Sequence, residues 1–170
     1  PMYFEVDGKN YLNERAIATQ QTGFWFVAQS RGSLPREVGA LLWFGCDDAA
    51  TSYLTPCYVN STKVPESFRV GNGDLLTYSE TSAFWACNRV AQACYKMYDR
   101  MEPVVKSKID EWENYQIEKA VPQMDEELCS LMNKGRTQKA IKKMTNFTIC
   151  TAQEIFEKWV ELDKLLLVKF

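Results

Sequence analysis

The 170-residue chain contains no histidine. That absence removes Ser-His-Asp triads, histidine-bearing zinc sites and a histidine pH switch. Any catalysis must rest on Cys, Ser, Thr, Lys, Tyr, carboxylates or a terminal amine. The six cysteines, Cys46, Cys57, Cys87, Cys94, Cys129 and Cys150, include no C-x-x-C pair. Zinc and iron–sulfur ligation are therefore not expected, and nothing calls for a metal or a cofactor. Cys87 and Cys94 fall seven apart on one predicted helix, about two turns and too far for a mutual disulfide. Cys46 and Cys57 sit where they can approach each other. The chain also lacks a membrane-length apolar run and a signal-peptide pattern, so no membrane partner is expected. With a net charge of −2 and a pI near 5.3, and no basic cluster among the aromatics, a nucleic-acid surface is excluded.

What is present is apolar and aromatic. Hydrophobic residues make up 46% of the chain and aromatics 13%, enough for one packed domain rather than a disordered segment. The organising stretch runs from Gly39 to Tyr58. Two β-rich runs, residues 40–44 and 52–58, flank the acidic link Cys46-Asp47-Asp48-Ala49, and a link this short predicts a buried hairpin. The two aspartates read first as a solvated turn, because Asp favours turns by bonding its own backbone. The alternative is a pocket rim that holds a cationic group such as a substrate amine.

The rest of the chain divides in two. Asp7-Gly8 between alternating β-formers predicts a type I′ hairpin at the start. Pro1 invites comparison with prolyl-amine bases, but nothing nearby announces the pocket that such a base needs. Phe24-Trp25-Phe26-Val27-Ala28-Gln29 reads as a central strand buried on both faces. Beyond the loop at Gly71-Asn72-Gly73-Asp74 the composition turns helical. A first helix is expected over 82–101, with Pro103 kinking it or opening the next. A charged helix to Ala120 follows, then one over 124–132 and one over 137–144. Thr151-x-x-Glu154 is a capping box for a last helix, and Leu165-Leu166-Leu167-Val168-Lys169-Phe170 reads as a closing strand. One domain over 1–170 results, with 1–76 mainly β, 77–163 mainly α and 164–170 the closing strand.

Four segments carry a resemblance: Glu14-Arg15-Ala16-Ile17-Ala18-Thr19-Gln20-Gln21-Thr22-Gly23, Leu42-Trp43-Phe44-Gly45-Cys46-Asp47-Asp48-Ala49-Ala50-Thr51, Val64-Pro65-Glu66-Ser67 and Ser82-Ala83-Phe84-Trp85. In this order, and with the ending in which a Trp helix leads to Leu-Leu-Val-Lys-Phe, they resemble the C69 family of dipeptidases. The likeness spans essentially the whole chain and looks like the C-terminal portion of such an enzyme. It implies an α+β fold, the antiparallel sheet portion of an αββα N-terminal-nucleophile hydrolase sandwich followed by a helical region. The implied activity is hydrolysis of dipeptides or small peptides by a processed N-terminal cysteine whose own α-amine serves as base, which needs no histidine. That cysteine lies upstream of Pro1, and none of the six cysteines here can take its place. The chain alone is then expected to be inactive.

Amidases of this class commonly orient the nucleophile and the oxyanion with an arginine and amide side chains. Arg15 is accordingly the expected catalytic-shell residue, and Gln20 and Gln21 are the expected substrate-binding amides beside it. Asp47 and Asp48 are expected to contact a substrate α-amine. The competing reading is a non-catalytic interaction domain. A peptidase portion predicts an open sheet edge and an uncovered apolar face, and pairing with the remaining part of the enzyme or with a second copy. An independent module predicts a closed, polar surface.

Overall fold

A computed structural model of the chain describes residues 3–12 and 18–170. It is an α+β fold in which strands precede helices. Strands β1 (Tyr3–Val6) and β2 (Lys9–Leu12) form the expected antiparallel hairpin. Asp7 and Gly8 both take positive φ at its tip, 53° and 73°, as a type I′ turn requires. A separate antiparallel sheet has the order β3-β4-β5, with β3 at Phe24–Ser30, β4 at Ala40–Cys46 and β5 at Thr55–Tyr58.

Strand β4 is therefore the central one, and β3 is an edge. This overturns the expectation of a central, doubly buried strand at residues 24–29. Phe24, Phe26 and Val27 remain 62%, 55% and 50% exposed, because no described strand pairs with the outer side of β3. A run of apolar residues marks burial only where the chain itself supplies both neighbours.

Five helical segments follow: α1 (Ala83–Lys96), α2 (Tyr98–Tyr115), a π-helical stretch (Gln116–Ala120), α3 (Val121–Asn133) and α4 (Thr137–Lys169). The first break falls at Met97, with φ −145° and ψ 60°, rather than at Pro103, which sits inside α2. Val121-Pro122 opens α3 instead of ending a helix, since proline near a helix start loses no intrahelical bond.

The helices expected at 137–144 and after Thr151 are one 33-residue helix, and the closing strand at 164–170 does not exist: α4 continues to Lys169. Two packing facts explain the continuity. Thr145, Thr148 and Thr151 lie on the buried face. There Thr148 Oγ1 accepts the Tyr58 N–H at 3.2 Å and Thr145 Oγ1 accepts the Thr62 N–H at 3.0 Å. Thr151, expected to cap a new helix, lies inside α4, and the hydroxyls of Thr145 and Thr148 before it serve β5 and the segment after it. At the far end Leu162 and Leu166, four apart on one helix face, are both buried.

The core has two parts. Leu41, Trp43 and Tyr58 on one face of the sheet pack with Val38, Leu128 and Met144 of the β3–β4 loop, α3 and α4. Val90, Val105, Trp112, Ile155 and Trp159 join α1, α2 and α4 around Tyr53. Helix α2 also grips the β4–β5 link, since Trp112 Nε1 donates to the Leu54 carbonyl at 2.9 Å and the Glu113 carboxylate accepts the Leu54 N–H at 3.2 Å. Arg31 reaches from the end of β3 to pair with Asp125 of α3, and Tyr58 Oη donates to the same carboxylate at 2.6 Å. The opposite sheet face carries Phe24, Phe26, Leu42 and Phe44. Phe68, in the short 3-10 turn Glu66–Phe68 between β5 and α1, meets Phe44 on this face edge-on, 5.1 Å between ring centroids.

Candidate functional site

The link between β4 and β5 is where the polar groups converge, and it is not a solvated turn. Asp47 and Asp48 are 3% and 5% exposed, and Thr51, Ser52 and Tyr53 are buried with them. The expectation of a solvated acidic turn is overturned because α1 and α2 close over the link. Its backbone is fixed at the first aspartate. Asp47 takes φ 65°, a conformation that non-glycine residues adopt rarely and Asp more readily than most. Its N–H donates to the Gly23 carbonyl at 3.0 Å. Just before it, Gly45 is required by close approach. A Cβ there would stand 2.7 Å from both Trp25 Nε1 and the Tyr53 carbonyl oxygen. Trp25 Nε1 in turn donates to Ser52 Oγ at 2.8 Å, tying β3 to the link.

The two carboxylates are used differently. Asp48 Oδ1 accepts the Ala50 N–H at 3.0 Å, and Oδ2 accepts the Tyr95 hydroxyl at 2.6 Å. Among the described residues Asp47 Oδ2 is buried without a hydrogen-bond partner, as are Thr51 Oγ1, Tyr53 Oη and Thr55 Oγ1 nearby. Burial pushes the Asp47 carboxyl up to about 6; the Asn88 side chain and the Asp48 backbone N–H work against that, and the Asp48 charge adds to it. An unsatisfied buried carboxylate oxygen is uncommon and asks for a partner.

The thiols have the opposite character to a nucleophile. Burial, with the Asp47 charge beside it, pushes Cys46 up to about 12, and burial alone does the same to Cys57. Burial raises Cys87 well above its ordinary value and Cys94 to about 11. Cys129 is also raised, mainly by burial. Because the thiolate is the attacking species, these five are held in the inert form near neutral pH. Cys150 is exposed on α4, far along the sequence from the link, and all six cysteines are free.

The structure thus brings Asp47 and Asp48 together in one buried link. Gln20 and Gln21 are exposed, in the turn before Gly23, whose carbonyl meets Asp47. They stand at the same end of the sheet but outside the link. Arg15 lies outside the described residues, as does Pro1. Asn88, Tyr95, Ser52 and Cys87 were not singled out from sequence as site residues, although they pack around the aspartates. Asn88 was visible as an amide interrupting the apolar stripe of α1, the one signal that marks it.

Beside the link, α1 and the end of α4 enclose a groove of about 500 Å3, lined by residues that include Asn88, Arg89, Lys96 and Asp163. Among the described residues no cluster of His, Cys, Asp and Glu is arranged to hold a metal ion, and no described helix is long and apolar enough to cross a membrane. A search of curated proteins returns no match. The family model for Peptidase family C69 matches residues 4–111, a span holding all the described strands but for the first residue of β1, the acidic link, α1 and most of α2. The chain is a member of peptidase family C69.

Proposed function

We propose that the chain is the C-terminal part of a cysteine dipeptidase of the N-terminal-nucleophile class, and that its β3-β4-β5 sheet is half of an αββα sandwich. The observation that carries the reading is the asymmetry of that sheet. One face is covered by helices, and the other presents Phe24 and Phe26 to solvent beside the unpaired edge of β3. A companion sheet fits that face and edge, and an independent interaction module has no reason to leave them bare. The β1–β2 hairpin adds Tyr3, Phe4 and Tyr11, also about half exposed or more.

The chemistry follows from what the chain withholds. Five thiols are kept neutral by burial and the sixth, Cys150, is exposed on α4; in this reading none of them is the nucleophile. In this reading an upstream N-terminal cysteine attacks the peptide carbonyl. Its α-amine takes the thiol proton and delivers it to the departing amine. Water then cleaves the thioester, and the free thiol returns. The contribution of this chain is binding. Asp47, whose Oδ2 lacks a partner, accepts the substrate α-ammonium. Asp48 adds negative field and holds the link through Ala50 and Tyr95. Gln20, Gln21 and Arg15 form the amide and cation shell around the oxyanion.

The test is hydrolysis of Ala-Ala by the enzyme that includes the upstream cysteine. Asp47→Asn is expected to raise KM at least tenfold, about 1.4 kcal/mol, with little change in kcat. Unchanged KM removes Asp47 from amine recognition.

A further inference from the structure

The groove between α1 and the end of α4 has a defined chemical character. Its 500 Å3 falls within the roughly 300–1,000 Å3 typical of small-ligand pockets. Trp85, Met97, Met101, Leu166 and Phe170 give it an apolar lining. Two cations line it as well. Arg89 is occupied, because its Nε and Nη2 both meet Asp163 Oδ2 at 2.7 Å. Lys96 is exposed at the end of α1 and has no ion pair among the described residues. Once Arg89 and Asp163 cancel, the groove keeps one positive charge beside an apolar lining. Its complement is an apolar body that ends in a carboxylate.

The groove borders the acidic link through one side chain. Asn88 lines it, and the same side chain bonds the Asp47 carboxylate. From Asn88 to Lys96 is eight residues of α1, about 12 Å of helix axis. An extended dipeptide spans about 7 Å, and the flexible lysine side chain covers the remainder.

We propose that this groove holds the C-terminal residue of the peptide substrate, with its side chain on Met97, Leu166 and Phe170 and its carboxylate at the Lys96 ammonium. The inference rests on the peptidase reading and deepens it. The substrate class becomes peptides with an apolar C-terminal residue and a free carboxylate. A fatty acid shares the apolar body and the anionic head, but it makes no use of a second polar end at Asn88.

The test is titration of the 15N-labelled chain with N-acetyl-L-phenylalanine, N-acetyl-L-phenylalaninamide and decanoate, followed at the Trp85 indole N–H. That N–H is anchored on the Asp74 and Thr77 carbonyls, at 3.1 and 2.9 Å. Saturable binding of the acid is expected, at least fivefold weaker for the amide, and at least fivefold weaker for the acid with Lys96→Gln. The exposed lysine makes no contact that the fold needs, so this variant keeps the native spectrum. Equal affinity for acid and amide, an unaffected Lys96→Gln variant, or binding of decanoate without the acid overturns the proposal. These probes carry no free amine, so their failure removes the groove and leaves the Asp47 reading standing. Conversely, an Asp47→Asn enzyme with unchanged KM leaves the groove result intact.

Discussion

At the residue scale, the two aspartates show how far neighbouring carboxylates can diverge. Asp48 is spent on an N–H and a hydroxyl, while Asp47 keeps an unpartnered oxygen in a buried link. A carboxyl raised to about 6 from 3.8 binds its proton more tightly folded than unfolded. Below pH 4 both states are protonated and the group costs nothing. Between about pH 4 and 6 the unfolded state ionises first and stability falls, and above pH 6 the penalty is constant. Two units correspond to on the order of 3 kcal/mol at most. Asp47→Asn is therefore expected to stabilise the chain at pH 7, with the gain vanishing near pH 4. Urea unfolding at the two pH values measures it, and a pH-independent difference contradicts it. A stability gain that accompanies lost substrate affinity is the usual mark of a functional site. Sequence showed that these two carboxylates belong together. It did not show their burial, because burial comes from Tyr95 and Asn88 of α1, about forty residues away, and only the fold brings those near.

At the scale of elements, local signals were legible where the chain makes its own partner. Asp7-Gly8 announced the first hairpin, and the apolar runs announced the β4–β5 pair. They failed where a distant element decides. Thr151 and Glu154 spell a capping box, yet they lie inside α4, because the threonines before them serve β5. Leu165 to Val168 look like a strand, but only Leu166 of that run is buried, which fits a helix period rather than alternation. The junction predicts its own test. Thr148→Val keeps the shape but removes the acceptor for the buried Tyr58 N–H. It is expected to cost about 1–3 kcal/mol in urea unfolding while α4 stays helical by circular dichroism. A cost under a few tenths of a kcal/mol shows that the hydroxyl does not hold β5.

At the scale of the whole molecule, the uncovered sheet face governs behaviour. Strand β3 offers unpaired backbone and three exposed apolar side chains, a combination that templates association. Phe26→Lys, on that uncovered face and 55% exposed, is expected to raise the soluble concentration several-fold and to leave the unfolding free energy within about 0.5 kcal/mol, the usual range for surface changes. Unchanged self-association, measured by sedimentation, shows that β3 is not the contact. Sequence misread this strand as central for an instructive reason. Its composition is that of an interior strand, and the neighbour implied by that composition is not among the described strands.

The direct measurement is dipeptide turnover by the 170-residue chain, alone and joined to the polypeptide encoded upstream. No turnover alone, with turnover restored in the joined enzyme and abolished by replacing its N-terminal cysteine, is the predicted result. Turnover by the isolated chain, or a joined enzyme indifferent to loss of that cysteine, contradicts the account.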